Sequence, residues 1–484
     1  MILRCGALAA ALLLLGACDL APTYKVPTVA VPVSYQDAAI WHAAQPADEL
    51  PRGDWWKGFA DPDLDDLEAR LNGENFSLVA ASSAFDQARA NAAVAEAALL
   101  PAIGLEAQAA KTVLPKNGVL RTKGLPNFFE TNTLDGALEY ELDFWGRIRN
   151  AVVAGKAAAQ ASAAQLAFLR LSLQAELAND YLLLRGLDAE QDLLTHTVAA
   201  YQKAYDVVQN RFRGLIASGV DVSRAEAQLH SAQAQLDDIN GRRAVAEHAI
   251  ATLIGVPAPA FTLAPRIARI KLPAIPPALP SALLQRRPDI AAAEREVAAA
   301  NATIGIARAA FYPDISFAAI GGFQRPRLDL LDLPSSFWSL GPGISLPIFE
   351  GGLLRAREAG AVAAFNEATA NYRNTVIGAF QEVADALSQL RWYGEELHDD
   401  RQTVAAAQQT LNMAMALFVD GAVNYLEVVV AQEQLLGAQQ LLLQLQTLYW
   451  QSGVRLIRAL GGGWSERDLP APDAMPLRHV SLGE

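Results

Sequence analysis

The sequence predicts a mainly α-helical chain that contributes four strands to a membrane β-barrel. Three observations carry this fold class. The 484 residues contain one unit twice. Each copy holds two stretches of strict apolar–polar alternation about 10 residues long, the length of a tilted strand crossing a bilayer. Each copy then continues into a proline-free helical stretch of roughly 100 Å at 1.5 Å per residue, followed by a return helix with seven-residue apolar spacing.

Composition narrows the function classes. Lys and Arg number 39 against 52 Asp and Glu, a formal charge of −13, and only 19% of residues are charged while 52% are hydrophobic. A nucleic-acid binder needs a basic face to displace phosphate counterions, so no nucleic-acid partner is expected. The 2 cysteines, Cys5 and Cys18, cannot build a disulfide framework. No apolar run long enough for a membrane-spanning helix follows the N-terminus, which excludes a multi-pass helical bundle.

Taking the elements in order, Met1 to Ala17 carries one basic residue, Arg4, and a short apolar stretch, the pattern of a signal peptide over residues 1–17. It ends in Leu15-Gly16-Ala17-Cys18, which looks like a bacterial lipobox. Cleavage before Cys18 would expose a lipid-bearing N-terminus, each buried CH₂ adding about 0.8 kcal/mol of membrane affinity. A plain signal peptide with an incidental cysteine is the alternative. Pro22, Pro27 and Pro32 then give an extended tether, and residues 18–60 form an N-terminal segment of tether and packing residues, Trp55 and Trp56 among them.

The first repeat covers residues 61–255. Asp61-Pro62 opens a helical pattern, as N-cap and first-turn proline, that continues to Leu100. Ile103, Leu105, Ala107 and Ala109 share one strand face, and Leu134, Leu138, Tyr140, Leu142 and Phe144 share the next, so a β-hairpin is expected over about 103–144. The long helix from Arg147 breaks at Gly214–Gly219, and the return helix spaces Val222, Leu229 and Leu236 by seven. Residues 256–280 are a proline-dense linker.

The second repeat covers residues 281–460. Leu99–Ile103 aligns with Phe311–Ile315 at an offset of 212, Leu138–Gly146 with Gly343–Gly351 at 205, and Phe212, Asp221 and Leu229 with Phe418, Glu427 and Leu435 at 206. A second hairpin is expected over about 315–348, with Phe317, Phe323, Trp338, Leu340 and Ile344 on apolar faces. A long helix from Glu350 breaks at Asp420–Asn424, and the return helix spaces Val428, Leu435 and Leu442 by seven. Residues 461–484 form a Gly- and Pro-bearing tail.

Four strands cannot close a membrane barrel, and an open sheet in lipid leaves edge groups unsatisfied at several kcal/mol each. The strands must therefore pair across chains: two chains give 8 strands and three give 12, the latter with room for a lumen. Glu106, Asp135, Glu139, Glu141 and Asp143 lie on the polar faces and suit a water-filled interior. A soluble, half-buried sheet alternates in the same way and stays open at this stage.

These features resemble the TolC-like outer-membrane factors, and in particular their lipidated OprM/NodT-like branch. The residues that carry the resemblance are the lipobox at Cys18, Trp55-Trp56-Lys57-Gly58-Phe59-Ala60-Asp61-Pro62-Asp63-Leu64, Arg286-Arg287-Pro288-Asp289-Ile290, the two Phe-centred helix turns and Ala459-Leu460-Gly461-Gly462-Gly463-Trp464. The resemblance implies a homotrimer with a 12-stranded outer-membrane barrel, a mixed equatorial region and a long periplasmic α-helical barrel. It implies an exit duct of a tripartite efflux system, passing drugs, metal ions or other small molecules. The implied partners are a periplasmic membrane-fusion adaptor, an inner-membrane pump of the RND type and outer-membrane lipid. No cofactor is implied beyond the lipid on Cys18. A type I secretion duct and a lipid-anchored periplasmic coiled-coil scaffold are the alternatives.

The resemblance also places a periplasmic aperture where the long helices turn. The matching positions are Leu426 for an apolar ring, Glu427 for an acidic ring, and Val430, where relatives often carry aspartate; Asp221 is the first-half counterpart of Glu427. Three symmetry-related Glu427 carboxylates would favour cations, or Glu427 is a solvated residue at a helix start. Asp19, directly after Cys18, is of a residue type that holds some lipoproteins at the inner membrane; the outer membrane is nonetheless expected. The six histidines are scattered, and no HExxH, phosphate loop or GxSxG motif occurs, so no enzyme is expected.

Overall fold

The computed structural model describes residues 19–31, 54–113, 115, 128–273, 286–326 and 331–472. The signal-peptide assignment and Cys18 lie outside these residues. Pro62 opens α1 (Pro62–Glu74), with the Asp61 side chain accepting from Asp63 N at 3.1 Å. The helical pattern expected up to Leu100 is built as two helices. Asn75 ends α1 and caps α2 (Phe76–Ala97), its Oδ1 accepting from Leu78 N at 3.0 Å while its Nδ2 donates to Leu253 O at 2.7 Å. A buried asparagine thus replaces one helical hydrogen bond with a tie to the far end of the same half.

Next come β1 (Ala102–Val113), β2 (Phe128–Glu141), α3 (Arg147–Arg213) and α4 (Gly219–Leu253). The second half follows with α5 (Pro288–Ala309), β3 (Asp314–Arg325), β4 (Ser336–Ser345), α6 (Leu353–Val419) and α7 (Tyr425–Ala459). Corresponding elements match in length: 67 residues for α3 and α6, 35 for α4 and α7, and 22 for α2 and α5.

The hairpins end earlier than expected, at Glu141 and Ser345. Asp143 has left the ladder to cap α3, its carboxylate accepting from Ile148 N at 3.2 Å and Arg149 N at 2.8 Å. The second long helix begins at Leu353 because Gly351 and Gly352 both have positive φ, 59° and 92°.

The strands form one antiparallel sheet in the order β1-β2-β3-β4. Its central pair, β2 with β3, joins the two halves, from Asn132 opposite Arg325 to Glu141 opposite Ser316. Just beyond, Trp145 Nε1 donates to Pro313 O at 2.8 Å and stacks on Tyr312 with centroids 4.7 Å apart.

The main core lies where α1, the middle of α3 and the ends of α4 and α7 meet. Trp55, Trp56, Phe59, Leu64, Tyr181, Ile250 and Val454 are all buried there. Helices α3 and α7 approach so closely that a Cβ on Gly186 would stand 2.2 Å from Thr447 Oγ1. Beside this core, Asp188 accepts from Arg243 Nε and Arg185 NH1, both at 2.7 Å, and from Arg266 N at 3.0 Å. Arg266 in turn pairs with Asp61 at 2.8 Å. The cap of α1, helices α3 and α4 and the segment after α4 are thereby cross-linked.

Candidate membrane band and channel aperture

The register sorts the sheet into two faces. Ile103, Leu138, Ala319 and Leu340 form one cross-strand row, and Leu105, Gly136, Gly321 and Trp338 the next. This apolar face is unpacked: Trp338 is 79% exposed and Ile103 78%. Bare apolar surface of this extent marks a membrane or protein contact. At its far end, Lys111 pairs with Glu130 at 2.8 Å and lies 5.0 Å from the centre of the Phe128 ring. The opposite face carries Glu106 directly across from Asp135, Gln108 across from Thr133, and Gln324 across from Thr133. Like charges directly opposite are unfavourable unless water solvates them; Glu106 is exposed while Asp135 is largely covered, so an aqueous lumen on the Glu106 side suits this face. Among the described residues β1 and β4 each pair along one side only. No described helix is long and apolar enough to cross a membrane.

Some 67 helical residues away, roughly 100 Å at the helical rise, both long helices turn over five-residue breaks. Each ends in a left-handed residue, Leu215 (φ 58°) or Gly421 (φ 75°). In each, the next N–H reaches back to the helix, Ile216 N to Arg211 O at 2.8 Å and Ala422 N to Leu417 O at 2.9 Å. A small core of Val208, Ala225, Phe418, Tyr425, Val428 and Val429 sits behind the turns. Burial raises the Tyr425 hydroxyl to about 12, with Tyr201 and Asp221 adding to the shift.

Leu426, Glu427 and Val430 occupy the exposed face of the first two turns of α7, opposite buried Tyr425, Val428 and Val429. Among the described residues Glu427 has no side-chain hydrogen bond or ion pair. Asp221 is placed differently. It completes a capping box with Ser218, accepting from Ser218 N at 3.2 Å while Asp221 N donates to Ser218 Oγ at 3.2 Å. Asn424, the counterpart of Ser218, makes no such side-chain bond. The two halves thus diverge where repeat symmetry equates Asp221 with Glu427.

Arg211 was not singled out by its sequence. Its guanidinium donates to Phe418 O at 3.2 Å and Val419 O at 3.3 Å and stacks over the Phe418 ring at 4.5 Å. A cation at a helix C-terminus also complements the helix dipole. The one signal available was the loss of repeat symmetry at this position, where the second half carries Leu417.

A two-hairpin chain with a bare apolar sheet and long paired helices has clear relatives. The family model for "Outer membrane efflux protein" matches residues 69–256 and 279–462. The chain belongs to the outer membrane efflux protein family. It is 31% identical over 458 residues to the toluene efflux pump outer membrane protein TtgF of Pseudomonas putida, covering 93% of this chain and 95% of that protein. It is 30% identical over 462 residues to the pyoverdine export outer membrane protein OpmQ of Pseudomonas aeruginosa, covering 94% and 96%. Among solved structures, the open-state MtrE outer membrane channel of Neisseria gonorrhoeae superposes with a TM-score of 0.81 at 27% identity, covering 93% of this chain and 99% of that one. The fold is that of the TolC-like channels, and this efflux protein is an outer-membrane exit duct. Its relatives are efflux channels rather than enzymes, and among the described residues no metal-binding group of His, Cys, Asp and Glu converges.

Proposed function

We propose that three copies of this efflux protein close a 12-stranded barrel and that the trimer receives small molecules from a periplasmic adaptor and an RND-type inner-membrane pump. The observation that supports this best is the four-stranded sheet with a bare apolar face and, among the described residues, two unpaired edges. Such a sheet is stable in lipid only when its edges pair with other chains. Small organic molecules are the cargo class, in keeping with relatives named for toluene and pyoverdine export. Cys18 is the acylated residue that adds a lipid anchor. No enzymatic step, cofactor or nucleic acid belongs to this role.

Leu426, Glu427 and Val430 line the periplasmic aperture in this reading. Among the described residues Glu427 has no side-chain partner, whereas Asp221 is tied into a cap. Three Glu427 carboxylates around one axis would draw cations. Glu427→Gln is expected to lower cation selectivity in single-channel recordings; unchanged selectivity and conductance would remove Glu427 from the aperture. The wider proposal is tested by native mass spectrometry and by deletion followed by a panel of solvents, antibiotics and metals. A trimer and increased sensitivity to organic compounds support it. A monomeric membrane species, or a phenotype confined to a secreted polypeptide, would overturn it.

A further inference from the structure

We propose that Asp19 and Asn150 are positioning residues that clasp the acylated N-terminus to the helix-side end of the sheet. The proposal rests on the reading of Cys18 as the acylated residue. Residues 19–31 run in extended form along one stripe of α5. Asn301 Nδ2 donates to Pro22 O at 2.8 Å, and the Tyr24 hydroxyl donates to Glu294 O at 3.3 Å and to the Glu294 carboxylate. Tyr24 and Val29 pack against the cluster that Ile290 and Val297 of α5 form with Tyr372 and Val376 of α6. Contacts at 290, 294, 297 and 301 recur every three or four residues, one face of a helix. As the strap ascends towards its N-terminus, it climbs α5 towards β3.

The top of this strap is tied more closely than the rest. Asp19 Oδ1 accepts from Ala21 N at 3.0 Å and from Asn150 Nδ2 at 2.9 Å. Asn150 is buried, and its Nδ2 also donates to Gly146 O at 2.8 Å, which fixes the amide plane. Three segments meet here with no spare room. A Cβ on Gly305 of α5 would stand 2.7 Å from Asn150 Nδ2 and 2.8 Å from Ala21 Cβ. Asn150 lies in the first turn of α3, just below the last residue of β2. The clasp is therefore at the end of the sheet where Tyr140, Phe317 and Ile344 close the apolar face.

Cys18 precedes Asp19 by one peptide unit, about 3.8 Å between Cα atoms. A clasp at Asp19 registers the acyl chains with the edge of the membrane band. Without it, the first residues of the strap would sample a volume set by chain flexibility, and the anchor would be decoupled from the barrel. Asp19 acts through its oxygen as an acceptor, a role that asparagine can also fill. Its negative charge is not what the clasp needs.

The mature chain would carry no free thiol, so Leu20→Cys, next to Asp19 and ahead of the ties at Pro22 and Tyr24, gives one site for a nitroxide label. In full-length trimers in lipid nanodiscs, the label is expected to be immobilised in the parent and in Asp19→Asn. It is expected to tumble several-fold faster in Asp19→Ala and in Asn150→Ala. Asp19 is exposed at the surface, so Asp19→Ala leaves the fold intact, and thermal melting checks this for both variants. Equal mobility in the parent, Asp19→Ala and Asp19→Asn would overturn the clasp, as would mobilisation by Asp19→Asn as large as that by Asp19→Ala. The intact mass of the N-terminal peptide reports acylation separately. Absence of lipid with an immobilised label would reject the anchor while leaving the strap bound.

Discussion

Single residues set the local strain and charge of this channel. Leu215 and Gly421 hold the same left-handed position in equivalent turns, yet only one is glycine. A left-handed L-residue costs about 1–2 kcal/mol, and Leu215 is 94% exposed, so it recovers nothing by packing. Leu215→Gly should stabilise the protein by up to about 1 kcal/mol after glycine's loss of backbone freedom, read as a higher thermal midpoint in detergent. Glu68 presents the opposite case. It is fully buried in α1, both carboxylate oxygens lack a partner among the described residues, and burial, then Asp65, raises it well above the usual carboxyl range. The folded state therefore keeps a proton that the unfolded chain releases. Stability should be greatest below the ordinary carboxyl pKa and should fall as pH climbs towards the raised folded value. Glu68→Met should remove that decline and gain roughly 1 kcal/mol or more at neutral pH, as measured by unfolding midpoints from pH 4 to pH 8.

Between elements, connection depends on a few polar ties that span great sequence distances. Asp188 alone gathers Arg185, Arg243 and the backbone of Arg266, and its side chain is almost wholly buried. Removing it would leave two guanidinium groups without their buried partner. Asp188→Ala should cost about 3–5 kcal/mol and make the segment after α4 a preferred site of limited proteolysis. Such ties were not legible in the sequence, because pairs such as Asp61 and Arg266 are 205 residues apart. The strands and long helices were legible, because alternation and the absence of proline are local signals. The division of the helical pattern at Asn75 has no local signal either. Within a helical pattern one asparagine gives no sign that its amide will find Leu253 across the fold. Leu426, Glu427 and Val430 were legible as aperture candidates only through the family resemblance of the second helix turn. Arg211 was not legible, since its partners Phe418 and Val419 belong to the other half.

At the scale of the whole molecule, duplication explains why one chain is incomplete. Two hairpins joined by β2 and β3 make a sheet whose outer strands each lack a neighbour among the described residues. Two helical hairpins of equal length hang from it and reach the turn region together. The sheet has two chemically distinct faces, and adjacent residues of β4 sample both. Leu340 lies in the apolar row with Ile103, Leu138 and Ala319, whereas Ser339 faces the side that carries Glu106 and Asp135. An arginine on the lipid side of a barrel costs about 2–4 kcal/mol near the midplane, while lumen-side changes mainly tune selectivity. Leu340→Arg should therefore reduce the yield of heat-modifiable trimer in the outer-membrane fraction. Ser339→Arg, one residue away, should assemble normally and shift ion selectivity. Equal losses from both substitutions would mean that the two faces share one environment, the result expected of a soluble sheet packed on both sides. A loss confined to Leu340 would instead fix which face meets lipid, and with it the direction in which the barrel closes.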